Sequence, residues 1–451
     1  MTARNMPEGF VWGVATASYQ IEGSVAADGR GQSIWDVFSA TPGAVRHGDT
    51  GAIACDNYRR WEQDLDLLSE LGVSAYRFSL AWPRILPEGT GKVNQSGLDH
   101  YRRLVDGLLA RNITPAITLY HWDLPQVLQD KGGWTDRATV DAFARYTEVV
   151  AEALGDRVPQ WITFNEPWVS SFVGYGSGRH APGITDGPSA LLAAHHLLCA
   201  HGAAVPILRE TSGKVGITLN LTPTRPVTPA DEAAATRFDG CQNRWFLDPV
   251  LRGRYPEDML GWYGFTGFTD EDLTAISAPL DFLGVNYYTR SWVVTGEDPD
   301  ARHPMLPSLD AHLIRPAELA KTEMGWTVEP DGLSELLVRL KRDYPALPPI
   351  YITENGAAFD DYVDPEGGVD DEDRIDFLHG HLGALHDAIT EGVDVRGYFC
   401  WSLMDNFEWA EGYAKRFGLY FVDYATQRRI AKASAGWYSD VIKRNGIPAA
   451  S

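Results

Sequence analysis

Short apolar runs alternate with helical patterns along most of the chain. Each run is rich in β-branched and aromatic residues and breaks at Asn, Pro or Gly, which indicates a buried strand that ends in a loop. Eight such runs occur, at residues 10–15, 75–80, 115–120, 161–164, 214–219, 282–287, 350–353 and 396–401. Amphipathic patterns between them predict helices, for example over 57–71, 99–111 and 137–154. Eight strand–helix units predict an α/β fold, a (β/α)8 TIM barrel with long βα loops.

The chain has no internal segment rich in Pro, Gly or Ser that would separate domains. We therefore expect residues 1–451 to form one barrel domain. The stretch 295–325 is long and irregular for an ordinary connection, so we expect it to border the pocket mouth. A doubly wound nucleotide-binding sheet is the alternative. It requires G-x-G-x-x-G between a strand and a helix, and the glycines from Gly174 to Gly178 have the wrong spacing.

Two predicted strands end in a glutamate: Glu166 in Trp-Ile-Thr-Phe-Asn-Glu-Pro, and Glu354 in Ile-Tyr-Ile-Thr-Glu-Asn-Gly. Barrels place their catalytic groups at the carboxyl ends of the strands, so the two side chains could face one pocket. A pair of rigidly held carboxylic acids is what hydrolysis of a glycosidic bond requires. A single glutamate at a strand end is more often solvated or paired with a cation, so the other strand ends decide between these interpretations.

Polar and aromatic side chains recur at the other strand ends. Aromatic faces suit the C–H faces of sugar rings, while amides and imidazoles bind hydroxyl groups. Arg77 lies inside an apolar strand, where a cation requires an anion, and we nominate Glu354 as its partner. Any one of these groups could be structural, but packing alone does not explain the whole set: His121, Trp122, Asn165, Asn286, Tyr288, Trp401, Glu408 and Trp409.

The charge balance narrows the possible partners. With 39 Lys and Arg against 61 Asp and Glu, the formal net charge is −22, which opposes binding to nucleic acids and anionic membranes and suits a neutral small molecule. Four cysteines lie far apart without a C-x-x-C pair, as expected for buried free thiols in a reducing compartment. The first ten residues lack the apolar core of a signal peptide, and no run approaches about 18 apolar residues. These features favour a soluble, cytoplasmic protein, and a homo-oligomer is possible.

Two segments contain residue types that bind metals. His195, His196, Cys199 and His201 lie on a predicted helix, but without the H-E-x-x-H arrangement. The acidic stretch 360–373 does not fit the register of a calcium loop, so we expect a solvated loop there. We therefore expect neither a metal nor a cofactor.

The motifs at the strand ends resemble those of glycoside hydrolase family 1, the family of retaining β-glucosidases with a (β/α)8 barrel. The resemblance extends from the segment between Phe10 and Gly23, Phe-Val-Trp-Gly-Val-Ala-Thr-Ala-Ser-Tyr-Gln-Ile-Glu-Gly, to Lys-Arg-Phe-Gly-Leu-Tyr, which ends at Tyr420. It implies hydrolysis of terminal non-reducing β-D-glucosyl residues in cellobiose, short cello-oligosaccharides and aryl or alkyl glucosides. It also implies a place in cellulose degradation, and tolerance of galactosides and fucosides.

The resemblance implies a role for each site residue. Glu354 would be the nucleophile, held by Arg77 and Tyr288, and Glu166 the acid/base, with Asn165 on the sugar 2-hydroxyl. A cis peptide bond would follow Trp401. The residues implied to contact the non-reducing sugar are Gln20, His121, Trp122, Trp401, Glu408 and Trp409, and those implied elsewhere in the cleft are Trp168, His180, Asn286, Trp326 and Phe417.

On this interpretation, Glu354 attacks the anomeric carbon while Glu166 protonates the departing oxygen. We expect Glu166 to be protonated because the negative charge of Glu354 is close. Glu408, as a carboxylate near O4 and O6, would repel a 6-phosphate. Two other functions remain: a non-catalytic sugar-binding protein on the same barrel, which would not need both glutamates, and a metal-dependent amidohydrolase, which would need metal ligands at its strand ends.

Overall fold

Eight parallel strands close into a barrel in the computed structural model, which describes residues 4–298 and 301–448. The strands are β1 Val11–Ala15, β2 Ala75–Ser79, β3 Thr114–Tyr120, β4 Gln160–Asn165, β5 Lys214–Asn220, β6 Phe282–Asn286, β7 Ile350–Asn355 and β8 Val395–Trp401. They follow one another around the barrel in chain order, and β8 pairs with β1 to close it. The predicted fold class is confirmed, and each predicted apolar run falls on a barrel strand.

Helices surround the barrel. Among the described residues, the α-helices of seven residues or more are α1 Asn57–Leu71, α2 Gln95–Ala110, α3 Ala138–Leu154, α4 Gly187–Arg209, α5 Glu232–Asp239, α6 Trp245–Arg252, α7 Glu257–Tyr263, α8 Asp270–Ile276, α9 Pro330–Asp343, α10 Glu372–Thr390 and α11 Ala433–Arg444. A π-helix, Val169–Gly176, follows β4. Helix α2 begins at Gln95, before the predicted residue 99. The prediction missed this first turn because Gln95 and Ser96 are polar and show no apolar period.

Helix α4 is long and apolar enough to span a membrane by length and composition, with a mean hydropathy of 1.5 over an 18-residue window. The expectation that no run approaches that length is therefore wrong for this segment. Within the fold, 78% of the window is buried, and the helix packs against α3 and α8. Its apolar composition is thus accounted for by burial on several sides.

The barrel interior is filled by side chains of unequal size. Ala15, Ala75 and Ala116 on β1 to β3 meet the large rings of Phe282 on β6 and Phe399 on β8. Strand β5 contributes Gly216, where a Cβ atom would lie 2.5 Å from the Phe282 ring. This apolar layer forms the floor beneath the polar side chains at the carboxyl ends of the strands.

The segment after β6 forms a small sheet outside the barrel. Strand Ser291–Thr295 pairs antiparallel with Ala311–Ile314 and parallel with Thr224–Pro226. The stretch 295–325, predicted to be irregular, thus contains the strand Ala311–Ile314, which pairs with the strand just before it in the chain. Residues 299–300 of this stretch lie outside the described ranges. Leu313, Arg315 and Met324 line the cavity described below, so this stretch borders the pocket as predicted.

Candidate active site

A cavity of about 320 Å³ opens at the carboxyl ends of the strands. Glu166 and Glu354 both line it. So do most of the other residues that the sequence pointed to: His121, Trp122, Trp168, His180, Asn286, Tyr288, Trp326, Trp401, Glu408, Trp409 and Phe417. Gln20, Arg77 and Asn165 are buried and are not among the lining residues of this cavity. Strand ends that are far apart in sequence therefore supply one site.

Glu354 is held through both carboxylate oxygens. Arg77 Nη1 donates to Oε1 at 2.5 Å, and the Tyr288 hydroxyl donates to Oε2 at 2.7 Å. Arg77 reaches from β2 through the barrel interior, where its Nη2 also donates to Asn165 Oδ1 at 2.6 Å. The ion pair between Arg77 and Glu354 expected from the sequence is present. Charge-assisted donors from two strands fix this carboxylate in one orientation.

Glu166 is the first residue after β4, and Asn286 Nδ2 donates to its Oε1 at 2.6 Å. Asn286 is oriented in turn by Thr353, whose hydroxyl donates to the Asn286 side-chain oxygen at 2.8 Å. Burial, followed by the negative charge of Glu354, raises the pKa of Glu166 to about 8. The sequence analysis named only the Glu354 charge, whereas burial is the larger cause. Glu166 therefore carries a proton at neutral pH.

Three side chains of the cavity stand on backbone that non-glycine residues rarely adopt. Trp122, Glu166 and Trp409 have φ angles of 77°, 49° and 45°. Each such residue costs on the order of 1–3 kcal/mol and persists only where its surroundings impose it. At Trp122, for example, the indole Nε1 donates to Asn165 O at 3.0 Å. The fold thus holds an acid and two indoles in strained positions that face the same space.

One glycine is required beside the nucleophile candidate. A Cβ atom on Gly356 would lie 1.8 Å from Trp401 O, so only glycine lets β7 approach the end of β8 this closely. The peptide bond after Trp401 is cis, as the family resemblance implied.

At the end of the cavity near β8, aromatic rings surround unpaired polar atoms. The His121 ring lies 5.9 Å from the Trp401 ring and 5.8 Å from the Trp409 ring, and Trp122 lies 4.5 Å from Trp409. His121 Nδ1, Gln20 Oε1 and Glu408 Oε2 are buried and have no hydrogen-bond partner among the described residues. Because buried polar atoms are normally paired, these three atoms call for a ligand with several hydroxyl groups.

Asn165 is engaged at both ends of its amide. Its Oδ1 accepts from Arg77 and from Asn286, and its Nδ2 lies 3.0 Å from His121 Nε2. It therefore connects the Glu354 support to the Glu166 support, and it retains one further N–H for a ligand.

The electrostatic state of Glu408 differs from the sequence expectation. Burial, with the nearby charges of Glu354 and Glu411, raises the pKa of Glu408 to about 8. The carboxyl group is therefore mostly protonated at neutral pH, and it can donate as well as accept a hydrogen bond. The reasoning that Glu408 repels a 6-phosphate as an anion is therefore wrong at neutral pH.

The helix with the histidines holds a cluster that the sequence analysis missed. His195, Cys199 and Asp272 bring their polar atoms within 4.8 Å of one another, and Asp272 comes from α8, far away in sequence. Arg137 already donates to Asp272 Oδ1 at 2.5 Å and to Cys199 Sγ at 3.5 Å. Burial raises the pKa of the Cys199 thiol to about 12, so it remains protonated. A guanidinium and a neutral thiol make this cluster an internal hydrogen-bond network.

The acidic stretch 360–373 is only partly solvated, which corrects the expectation of a solvated loop. Asp361 and Asp371 are buried and both pair with Arg374, and Asp361 also accepts from Lys432 at 2.6 Å. Lys432 bridges to Asp405, beyond the end of β8. This ionic network joins the loops after β7 and β8 and supports the wall that carries Trp401 and Phe417. No local pattern signals the links to Lys432 and Asp405, because these two residues lie far along the chain from the acidic stretch or from each other.

Comparisons with known proteins agree with this geometry. The model for "Glycosyl hydrolase family 1" matches residues 2–447. "Beta-glucosidase A" of Thermotoga maritima is 52% identical over 99% of this chain and 100% of its own length. A "Bifunctional beta-D-glucosidase/beta-D-fucosidase" of Bifidobacterium breve is 49% identical, over 96% of this chain and 97% of its own. A solved structure, "Beta-glucosidase from Thermotoga maritima in complex with glucoimidazole", has a TM-score of 0.93 and 51% identity, and the match covers 98% of this chain and 100% of that one.

Proposed function

The chain belongs to glycosyl hydrolase family 1 and is a β-glucosidase, and we propose that Glu354 is its nucleophile and Glu166 its general acid and base. One observation carries this assignment. The two carboxyl groups share a cavity, and their environments differ: Glu354 accepts from Arg77 and Tyr288, whereas burial and the charge of Glu354 keep a proton on Glu166. Two carboxyl groups in contrasting protonation states are the requirement for acid-assisted displacement.

In the first step, Glu354 attacks the anomeric carbon and Glu166 gives its proton to the departing glycosidic oxygen. The C–O bond to the leaving group breaks as the bond to Glu354 forms, which yields a covalent glycosyl enzyme. The indoles of Trp401 and Trp409 hold the ring, and Gln20, His121 and Glu408 supply polar atoms for its hydroxyl groups. Tyr288 and Arg77 release part of their hydrogen bonding to Glu354 as it becomes an ester.

In the second step, Glu166 acts as a base. Esterification removes the negative charge of Glu354, and with it one of the two main causes that raise the pKa of Glu166. The ionised Glu166 then draws a proton from water, and the water oxygen attacks the anomeric carbon from the face that the leaving group vacated, while the bond from that carbon to Glu354 breaks and frees the Glu354 carboxylate. Two inversions give net retention.

The substrates are terminal β-D-glucosyl residues of cellobiose, short cello-oligosaccharides and aryl or alkyl glucosides. The name of the Bifidobacterium breve relative, a glucosidase and fucosidase, supports tolerance of more than one sugar. We further propose that the enzyme is cytoplasmic and that it hydrolyses the small products of cellulose breakdown. Four buried free thiols support a reducing compartment. Self-association stays a prediction, which size-exclusion chromatography with light scattering tests.

The deciding experiment replaces the nucleophile. Glu354→Ala should lower turnover of p-nitrophenyl β-glucoside by several orders of magnitude, and added azide should restore it and yield the α-glycosyl azide. Glu335→Ala is the matched control, because Glu335 pairs with Arg225 and Arg290 and is not a lining residue of the cavity. A β-glycosyl azide, or full activity in Glu354→Ala, contradicts the assignment. Wild-type turnover also separates this function from that of a sugar-binding protein.

A further inference from the structure

Arg315 is a cation in the cavity wall, and none of the described residues pairs with it. It follows the outer strand Ala311–Ile314 and lines the same cavity as Glu166 and Glu354. Its Nη1 atom is buried and has no hydrogen-bond partner, and no hydrogen bond or ion pair joins its guanidinium to the described residues. An unpaired guanidinium in a partly buried position is costly, because it has lost water and gained no anion.

The carboxylate of Glu329 does not satisfy Arg315. Glu329 acts on it electrostatically, yet both Glu329 oxygens are occupied: Oε2 accepts from Arg290, and Oε1 accepts from Trp292 at 2.9 Å and Thr327 at 2.6 Å. Burial accordingly lowers the pKa of Arg315, unlike that of the paired Arg290, which is raised. The positive charge therefore remains available to a ligand.

Arg315 lies at the leaving-group end of the cavity. Glu166 protonates the leaving oxygen, so the leaving group extends toward the loops after β4, β5 and β6. In the barrel these loops are neighbours, opposite the loops after β8 and β1 that bind the sugar. They supply apolar and aromatic walls, Trp168 and Phe238 from one side and Leu313 and Trp326 from the other. Arg315 lies among these apolar walls, whereas Arg179, a second cation of the cavity lining, pairs with Glu411.

We propose that Arg315 is a specificity residue for β-glucosides whose leaving group is an aromatic ring bearing a carboxylate. The aromatic walls bind the ring, and the guanidinium binds the carboxylate, the geometry for which its planar fork is suited. This inference rests on the proposed hydrolase function and narrows its substrate class.

The acidity of the protein does not oppose this proposal at short range. The net charge of −22 acts across the whole surface, where salt screens it beyond about 8 Å at physiological ionic strength. Inside the cavity, Glu354 is paired with Arg77, and Glu166 and Glu408 hold protons at neutral pH. Glu411, which also lines the cavity, pairs with Arg179, and Glu329 pairs with Arg290. An anionic leaving group therefore meets Arg315 with each of these neighbouring carboxyl groups either protonated or paired with an arginine.

The test compares two substrates that differ in charge but hardly in shape, 4-carboxyphenyl β-glucoside and 4-carbamoylphenyl β-glucoside, together with their 3-substituted isomers. The measured quantity is the ratio of kcat/KM for the acid to kcat/KM for the amide. In Arg315→Gln this ratio should fall about tenfold or more for at least one isomer. Comparing ratios removes the difference in leaving-group acidity, since that difference is the same in both enzymes.

Two further variants keep the test decisive. Arg237→Gln is the matched control: Arg237 precedes the cavity residue Phe238, but it donates to Leu309 O and pairs with Asp310, so the ratio should change less than about twofold. Arg315→Lys keeps the charge and should retain part of the preference, even if Arg315→Gln folds poorly.

An unchanged ratio in both Arg315 variants overturns the proposal. So does an equal loss of kcat/KM on cellobiose and on the acid in Arg315→Gln, because Arg315 would then bind sugar hydroxyls. If wild type fails to hydrolyse even p-nitrophenyl β-glucoside, the proposed hydrolase function fails first, so the two failures are distinguishable.

Discussion

Replacing Glu354 by glutamine should lower the pKa of Glu166. The substitution keeps the shape of the side chain and removes its charge. In wild type, burial and the Glu354 charge together raise the pKa of Glu166 from 4.5 to about 8. The glutamine variant also resembles the glycosyl enzyme electrostatically, since the nucleophile is neutral in both. The experiment therefore tests the switch of Glu166 from acid to base.

The size of the change follows from Coulomb's law. In a retaining enzyme the two carboxyl groups are about 5–5.5 Å apart, and at an effective dielectric constant of about 20 two unit charges at that distance interact with about 3 kcal/mol. This energy corresponds to about two pH units, so the pKa of Glu166 should fall from about 8 to about 6. The loss of an anionic partner for Arg77 acts in the same direction, because Arg77 also stabilises an ionised Glu166. Burial remains and keeps the pKa above that of a free glutamate.

The assay is a ¹³C NMR titration of protein labelled at the glutamate carboxyl carbon, with Glu354→Gln compared to the double variant Glu354→Gln/Glu166→Gln to identify the Glu166 signal. In wild type, the alkaline fall of kcat/KM should report the pKa of Glu166 near 8. A Glu166 pKa that stays near 8 in Glu354→Gln would refute the reasoning, because burial alone would then set it. A pKa near 4.5 would equally refute it, since burial would then contribute nothing.

Three other predictions follow from the same site. Glu166→Ala should give a burst with 2,4-dinitrophenyl β-glucoside and slow steady turnover, because this leaving group needs no proton while deglycosylation still lacks its base; equal losses on good and poor leaving groups would contradict this. Glu408→Gln should stabilise the protein more at pH 8.5 than at pH 5. The difference in the free energy of unfolding should be on the order of a few kcal/mol, and calorimetry at both pH values should show it as a larger rise in Tm at pH 8.5. The raised pKa makes the folded state hold a proton that the unfolded state releases above about 4.5, so stability falls as pH rises toward 8. A 6-phosphoglucoside should have a much lower kcat/KM than the plain glucoside, because a phosphate dianion would lose water among the rings of Trp122, Trp401 and Trp409, which offer it no positive charge; the reverse order would mean that the sugar O6 does not lie at this end of the cavity.

Most of the fold and the ion pair between Arg77 and Glu354 could be predicted from the sequence, because those signals are local. The hydrogen bond from Tyr288 to Glu354 followed only from the family resemblance, and that from Asn286 to Glu166 was not predicted. An apolar run that breaks at Asn-Glu-Pro indicates a strand end wherever its partners lie. Arg77 within an apolar strand required an anion, and few carboxylates were available at the strand ends. The contact between Asp272 and His195, and the pairing of Asp361 with Lys432, join residues far apart in sequence, so no local pattern signals them. The pKa of Glu408 likewise depends on burial, which only the assembled cavity sets.

The closure of the barrel has a consequence for the synthesis of the protein. Strand β1 pairs with β8, and near the chain ends Arg4 and Asn5 pair with Ile447 and Gly446, while Trp12 Nε1 donates to Asn445 Oδ1 at 2.9 Å. Strand β1 can pair with β2 early, but its pairing with β8 forms only after residues 395–401 have been made. The end of the cavity that we propose binds the sugar, with Gln20 after β1 and Trp401 and Glu408 at β8, is complete only after that late pairing. Because Arg4 and Asn5 pair with Ile447 and Gly446, the two ends of the barrel sequence can be joined by a linker. In a circular permutant with that linker and with new ends in a helix–strand loop elsewhere, β1 would be synthesised soon after β8.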